Sequence, residues 1–285
     1  MRAFHSTWSA PFFRRNPSIE FTVAPFELLT TVLSAVFWQK YNGSLAMLCD
    51  STAAAFYRAC GLDGLWHDGI QPVLDDMPRE IDPHIFWAAG KLFALRQFGA
   101  PCAMLDTDFI VWKALPPLTA PVTVIHREDI VPAIYPDAHA FSAARGFDFS
   151  AFDWTVKPAN TALSCFLDPD FTRLYADTAL SFMRSAAGAD NPLTYMVFAE
   201  QRLLPMLAAQ QRVPLAAFSD LPALFASGQT YFTHIWGFKQ QMQQNPALLD
   251  AFCRRCAVRL LQDAPQWTSV LMRLPAVSGY FVTKS

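Results

Sequence analysis

The chain has 285 residues, of which 53% are hydrophobic and 16% charged, and its formal net charge is -2. A chain of this length and composition can bury roughly three-quarters of the surface that its unfolded form exposes, so we expect one domain over residues 1–285 with a large core. The near-neutral charge argues against nucleic acid as a partner, because phosphate binding needs a basic surface.

The first part of the chain alternates short apolar runs with longer helical stretches, a pattern typical of α/β folds. Gly99 ends one helical stretch, and the apolar run that follows it is typical of a strand buried on both faces of a parallel sheet. The predicted elements in chain order are a strand at 2–5, a helix at 26–41, a strand at 45–49, a helix beginning at Ser51 and Thr52, a helix at 83–98 and a strand at 101–105.

The later part is less regular, and one segment, 140–156, is rich in aromatic residues without a helical or strand period. The predicted elements in this part are strands at 121–126 and 160–167, helices at 169–185 and 192–211, a strand or turn at 229–237 and a last helix at 247–262. Together the two parts predict a central, mostly parallel sheet flanked by helices.

The cysteines and the apolar segments indicate a cytoplasmic protein. The six cysteines mostly lie in apolar runs without regular spacing, which is typical of reduced, buried thiols. Cys253 and Cys256 form a CxxC on a predicted helix, but the rest of a zinc ligand set is missing. The N-terminal residues lack a signal-peptide pattern, and the uncharged run 28–38 is shorter than the roughly 20 residues of a transmembrane helix. We therefore expect no transmembrane segment, with a peripheral membrane contact left open.

Two carboxylates, Asp106 and Asp108, interrupt the apolar run CAMLDTDFIVW at 102–112. A buried carboxylate costs several kcal/mol unless it is paired, hydrogen-bonded or bound to a metal. The pair follows the predicted strand, at the sheet edge where α/β proteins bind ligands. Side chains two residues apart face the same side of an extended chain, so both carboxylates can bind one Mg²⁺ or Mn²⁺ together with substrate phosphates. The alternative is a solvated turn between strand and loop.

The run GAPCAMLDTDFIVWKALP resembles the DxD segment of GT-A-type glycosyltransferases. KPANTALSCFL is similar to the asparagine-containing strand that helps to bind the donor sugar, although Ala162 replaces a common glycine. FAEQRLLPML resembles an acidic helix start, and THIWGFKQ resembles the late His-x-x-Gly-x-Lys element of glycogenin-like members, without the Pro-Trp that follows it there. The resemblance covers about residues 1–245 and is nearest to the bacterial capsular-polysaccharide and mannosyltransferase-like groups.

This resemblance implies a Rossmann-like GT-A domain with a nucleotide-binding half at 1–120, an acceptor and donor-sugar half at 121–245 and a C-terminal helical segment at 246–285. It implies transfer of a sugar from a nucleotide-diphosphate sugar, with UDP as the expected nucleotide, to a glycan, lipid-linked or protein acceptor. Glycogenin-like and mannosyltransferase-like relatives further imply retention of configuration and Mn²⁺ or Mg²⁺ as the cofactor.

The resemblance also assigns residues. His234 offers an imidazole as a third metal ligand, which favours Mn²⁺, Gly237 lets backbone approach a diphosphate, and Lys239 sets a positive charge against it. The expected catalytic residues are Asp106, Asp108 and Glu200, and the expected metal ligands are Asp106, Asp108 and His234. The expected donor-binding residues are Ser6, Thr7, Trp8, Asp50, Lys91, Asn160, Gly237 and Lys239.

Several of these residues also have ordinary structural interpretations. Lys91 fits an exposed surface lysine, Asn160 a cap or turn, and Glu200 an acid in the first turn of a helix. His234 taken alone fits a hydrogen-bonded core histidine.

Two other functions compete with the transferase. DTDFI resembles the nucleophile motif of haloacid-dehalogenase-like phosphatases, but it follows about a hundred residues instead of the first strand, and the expected metal motif is missing. A non-catalytic relative that binds a nucleotide sugar or a glycan is the other alternative, and a turnover assay separates it from the enzyme.

Overall fold

The computed structural model describes residues 1–186, 188–189, 191–226, 230–235 and 237–282. The strands are β1 (Ala3–Thr7), β2 (Leu45–Cys49), β3 (Ile70–Gln71), β4 (Cys102–Leu105), β5 (Phe109–Val111), β6 (Val122–Val124), β7 (Leu163–Phe166), β8 (Leu215–Ala217) and β9 (Phe232–His234). The longer helices are α2 (Pro25–Tyr41), α3 (Ser51–Ala59), α4 (Ala89–Phe98), α5 (Pro169–Ser185), α7 (Leu203–Gln210) and α10 (Pro246–Asp263). The shorter helices are α1 (Ala10–Arg15), α6 (Pro192–Val197), α8 (Leu221–Ala226), α9 (Phe238–Gln244), α11 (Pro265–Leu271) and α12 (Pro275–Ser278).

In the described part of the chain, seven strands form one mixed sheet in the order β3-β2-β1-β4-β7-β6-β8. The pairs β1/β2, β2/β3, β1/β4 and β6/β8 are parallel, whereas β7 runs antiparallel to both β4 and β6. The predicted α/β class with a central, mostly parallel sheet is therefore confirmed. Strands β5 and β9 form a separate antiparallel pair.

The sheet is buried on both faces, and strands β2 and β4 are apolar at every position. On β1, Ala3 belongs to the core cluster on one face and Phe4 to the cluster on the other. On β4, Ala103 and Leu105 share the cluster of Ala3, while Met104 joins that of Phe4. Side chains alternate along a strand, so each strand contributes to two cores.

Two predicted helices differ from the observed ones. The helix predicted at 83–98 begins at Ala89 instead, because Asp82 holds the preceding residues in turns by accepting the N–H groups of His84 and Phe86. The helix predicted at 192–211 is interrupted by a π-helical turn at Phe198–Arg202. The helix predicted at 247–262 is observed as α10, but it is followed by α11 and α12, each of which begins with a proline at a first-turn position.

Residues 141–156, all described, form turns, as their irregular pattern predicts. Phe141 packs against the ring of Phe198 with centroids 4.7 Å apart, and Trp154 stacks on the same ring at 5.7 Å. This aromatic segment therefore covers the π-helical turn and holds it in place.

None of the helices in the described ranges has both the length and the apolar character needed to cross a membrane.

Candidate functional site

Asp106 and Asp108 lie in a tight turn between β4 and β5, at the carboxyl end of β4. The N–H of Asp106 donates to the carbonyl of Ala162 (2.8 Å), and the N–H of Phe109 donates to the carbonyl of Asp106 (3.0 Å). The chain therefore turns where an extended strand was the first expectation, yet ligand atoms of Asp106, Asp108 and His234 all lie within 4.8 Å of one another. Asp108 is only 3% exposed, so the alternative of a solvated turn is wrong for it.

Strand β9 delivers His234 to this turn. His234 pairs with Phe109 across the β5/β9 ladder, and its Nε2 lies 4.0 Å from Asp108 Oδ2. Burial lowers the pKa of His234 to about 4, against the opposing effect of Asp108. The imidazole is therefore neutral at pH 7, the form in which histidine binds metals.

Lys91 lies on α4 and forms ion pairs with two acids, Asp106 and Glu200. Its Nζ lies 2.6 Å from Asp106 Oδ1 and 2.6 Å from Glu200 Oε1, which also accepts a hydrogen bond from Thr161 Oγ1 (2.8 Å). Lys91 is 6% exposed, so the interpretation as a surface lysine is wrong.

Two acids share Lys91, and the pKa values of Asp106 and Lys91 reflect this. Burial raises the pKa of Asp106 to about 6, with Lys91 partly offsetting the shift and Glu200 adding to it. Although burial alone would lower the pKa of Lys91, Asp106 and Glu200 raise it above its usual range. The two shifts are compatible because one ammonium serves two carboxylates.

Glu200 lies within the π-helical turn, not at a helix start. The turn directs backbone carbonyls outside the helix: Glu200 O accepts from the Tyr175 hydroxyl (2.7 Å), and Gln201 O accepts from the N–H of Ala159 (2.9 Å). Pro205 lacks the N–H that would bond to Gln201 O in a regular helix. Pro205 was therefore the sequence signal that the helix is interrupted here. Such an interruption is informative because π turns are frequent at functional sites.

Asp108 carries a buried oxygen that suits a cation. Its Oδ2 lies 2.8 Å from Lys239 Nζ, but no described residue donates a well-oriented hydrogen bond to it. Burial opposes ionisation of Asp108, but Lys239 and His234 outweigh it and lower the pKa. An ionised Asp108, a neutral His234 and a partly exposed Asp106 form an oxygen- and nitrogen-rich set that fits a divalent cation.

The site opens into two adjoining cavities. The first, of about 320 Å³, is bounded by the charged cluster of Lys91, Asp106, Asp108, Glu200 and Lys239. The second, of about 350 Å³, is lined by aromatic side chains and by one arginine; the residues are Phe12, Phe21, Phe26, Tyr57 and Arg15. The residues that line both cavities are Ser6, Trp8, Glu27, Trp87 and Thr107.

The predicted loop after β1 lies at these cavities. Ser6 and Trp8 line both, and Thr7, whose hydroxyl is 3.0 Å from the Tyr57 hydroxyl, lines the aromatic one. Asp50 lies outside them. Its Oδ1 accepts from the N–H of Ala53 (2.8 Å) and its Oδ2 from that of Ser9 (2.6 Å), so it caps α3 and anchors the loop.

Asn160 and Gly237 do not line these two cavities. Asn160 is 3% exposed; its side chain accepts from the N–H of Ala162 (3.1 Å) and donates to Glu128 (3.3 Å). Gly237 has φ -64°, and a Cβ there would meet nothing within 4 Å, so no backbone requirement for glycine is evident. Their donor contacts stay predictions. Trp236, part of the same predicted motif, lies outside the described residues together with Gln229.

Sequence reasoning missed three contributors to the site. Glu27 and Trp87 line both cavities, although neither belongs to a recognisable motif. Gly90 lets α4 approach the loop after β1, because a Cβ at this position would lie 2.7 Å from the Trp8 Cβ.

A buried chain of hydrogen bonds also supports the site from β1. His5 Nδ1 accepts from Trp66 Nε1 (3.2 Å), and His5 Nε2 lies 3.0 Å from Ser34 Oγ, which donates to the carbonyl of Phe109 (2.6 Å). With Nδ1 as acceptor, Nε2 carries the proton and donates to Ser34. The chain ties the residue after Asp108 to the centre of the sheet.

No known family profile matches the chain, and no curated protein matches it. Among solved structures, the chain is similar to the PaToxG glycosyltransferase (12% identity, TM-score 0.44, 98% of this chain and 83% of that one). It is also similar to mouse xyloside xylosyltransferase 1 in its apo form (12% identity, TM-score 0.36, 77% of this chain and 85% of that one). Likenesses this distant carry no conclusion about the chemistry of this chain.

Proposed function

We propose that this protein is a metal-dependent glycosyltransferase that moves a sugar from a nucleotide-diphosphate sugar to a glycan, lipid-linked or protein acceptor. The supporting observation is the convergence of Asp106, Asp108 and His234, whose ligand atoms lie within 4.8 Å of one another. Asp106 and Asp108 line a cavity of about 320 Å³ together with Lys91 and Lys239. UDP as the nucleotide, Mn²⁺ as the metal, retention of configuration and a cytoplasmic location belong to the same proposal.

The residues of the cluster divide the work of the proposed reaction. Asp106, Asp108 and His234 would hold a divalent cation, which supplies Lewis-acid stabilisation of the negative charge on a departing nucleoside diphosphate. Lys239, whose side chain is 37% exposed, can reach the same diphosphate as a second positive charge. Lys91 fixes the carboxylate of Asp106 and orients Glu200 towards the cavity.

The two cavities match the two ends of such a donor. The charged cavity suits the diphosphate and metal, and the aromatic one suits the flat base of a nucleoside, which stacks on aromatic rings.

A thermal-shift panel of UDP- and GDP-sugars with and without Mn²⁺ tests the donor and the metal together. We expect stabilisation by at least one nucleotide only when Mn²⁺ is present, and loss of this stabilisation in Asp106→Asn and Asp108→Asn with the apo fold intact. Asp68→Asn, at an exposed site, serves as the control. Unchanged stabilisation in both site variants would contradict the metal assignment.

Turnover decides between an enzyme and a binding protein. A transferase releases nucleoside diphosphate from the stabilising donor when acceptors are supplied. Binding without release would favour the non-catalytic alternative, and release of inorganic phosphate from phosphate esters would favour the phosphatase.

A further inference from the structure

Glu27 stands where the charged and the aromatic cavity meet. Of the described residues that line both, Ser6, Trp8, Trp87 and Thr107 are neutral, so Glu27 contributes the one ionisable side chain. It belongs to the first turn of α2, far in sequence from the DxD segment. Its carboxylate interacts with the backbone N–H of Ala24, as a helix-capping acid does, and the residue also lines both cavities.

The surroundings of Glu27 limit what it can bind. Burial raises the pKa of its carboxyl group, while Lys239 lowers it and Asp108 raises it further. A diphosphate directly against this carboxylate would be repelled. Lys239 already supplies a positive charge near Glu27, so the carboxylate does not need a cationic ligand. Neutral hydroxyl groups are the partners that a half-buried carboxylate accepts most readily, because each donates a charge-assisted hydrogen bond.

The order of the cavities places a particular part of the ligand at this junction. A nucleoside diphosphate with its base between the aromatic walls and its phosphates at the lysines puts its ribose between the two. Ribose presents two adjacent hydroxyls, and the two oxygens of a carboxylate can accept both. The same chemistry is used where an acidic residue binds ribose in dinucleotide-binding folds.

We propose that Glu27 binds the 2′- and 3′-hydroxyls of the donor ribose and thereby selects ribonucleotides over deoxyribonucleotides. This inference rests on the proposed function, because it takes a nucleoside diphosphate as the ligand. It adds a specificity residue that none of the predicted motifs contains. It also fixes the direction in which the donor lies across the two cavities.

Isothermal titration with Mn²⁺ present compares UDP with 2′-deoxy-UDP, and GDP with 2′-deoxy-GDP. In the unaltered protein we expect the better-bound ribonucleotide to exceed its deoxy form by about tenfold or more, the value of a hydrogen bond to a charged group. In Glu27→Ala the ribonucleotide should weaken by a similar factor and the ratio should fall to about one. Glu20→Ala, at an exposed position, should keep the original ratio.

A helix-capping role makes a different prediction. The backbone N–H of Ala24 interacts with the Glu27 carboxylate, so loss of a cap alone would weaken both nucleotides equally and leave the ratio unchanged, which would overturn the inference. If Glu27→Ala does not fold, Glu27→Gln keeps an acceptor for Ala24 and should still lose most of the discrimination.

Failure of the inference and failure of the proposed function give different results. If UDP or GDP binds the unaltered protein with Mn²⁺ but the deoxy form binds equally well, Glu27 does not read the ribose and only the inference falls. If no nucleoside diphosphate binds under any condition, both fall.

Discussion

Lys239 Nζ lies 2.8 Å from Asp108 Oδ2, so the buried carboxylate of the DxD segment is already neutralised by a lysine from the start of α9. The lysine side chain is 37% exposed, whereas that of Asp108 is 4% exposed. A cation that binds Asp108 therefore competes with an ammonium that can swing into the cavity. A diphosphate that attracts Lys239 would relieve this competition.

Lys239→Met should bind Mn²⁺ more tightly than the unaltered protein when nucleotide is absent. Removing the competing ammonium is worth about 1 kcal/mol for a partly exposed pair, or about fivefold in affinity. The same variant should lose affinity for a nucleoside diphosphate, because a positive charge is gone. Titration calorimetry with Mn²⁺ alone and then with nucleotide measures both effects.

The surface pair of Lys157 and Asp129, also 2.8 Å apart, offers a matched control. Lys157→Met should change neither affinity. Equal or weaker binding of Mn²⁺ alone to Lys239→Met would show that the ammonium does not oppose the metal.

Lys91→Met should destabilise the protein by roughly 3–5 kcal/mol, because it leaves Asp106 and Glu200 as buried acids without their shared cation. Glu200→Gln in the same chain removes one of the two charges and should restore part of the loss. Urea unfolding of the single and double variants measures both changes. A single variant within about 1 kcal/mol of the unaltered protein would contradict a structural role for this buried cluster.

Stability should fall in acid through His5. Burial lowers the pKa of His5 from 6.5 to about 3, so between these values the unfolded chain binds a proton that the folded protein does not. The contribution of His5 is complete above pH 6.5 and is lost as the pH falls, at about 1.4 kcal/mol per pH unit. His234, whose pKa burial lowers to about 4, acts in the same sense as His5 between that value and 6.5. Asp106 acts in the opposite sense between its ordinary 3.8 and about 6, where stability decreases as the pH rises.

Urea unfolding at pH 4.5, 5.5 and 6.5 measures this slope. His5→Gln should lower the slope by about 1.4 kcal/mol per pH unit, whereas His67→Gln, at an exposed position, should leave it unchanged. A His5→Gln variant with the original slope would contradict the buried, neutral state of His5.

Gly90→Ala should destabilise the protein by about 1–3 kcal/mol, because the added methyl group would lie 2.7 Å from the Trp8 Cβ in a packed contact. It should also shift the indole of Trp8, which is visible in tryptophan fluorescence. Gly279→Ala, with helical φ of -63° and open space around it, should instead stabilise by about 0.4–1 kcal/mol. Unfolding shifts of the same sign in both variants would contradict the close approach at Gly90.

The sequence alone determined the features that depend on residues close together in the chain. Apolar periodicity located β2 and α5 at their observed bounds and identified the class of the sheet. The apolar surroundings of Asp106 and Asp108 indicated a buried acidic pair, because an uncompensated charge there is costly in any fold. The resemblance of THIWGFKQ to a known element, and no spacing along the chain, implied that His234 joins these residues, and the structure brings the three together.

Only the tertiary structure decided which side chains meet across long stretches of chain. Lys91 and Glu200 are 109 residues apart in sequence, and their contact depends on how α4 packs beside the π-helical turn. Asp50 looked like a ligand contact at the end of a strand but serves as a helix cap, since a nearby N–H group uses each of its oxygens. Glu27 carried no motif at all. Its importance comes from the junction of two cavities, and local sequence does not encode the shape of a cavity.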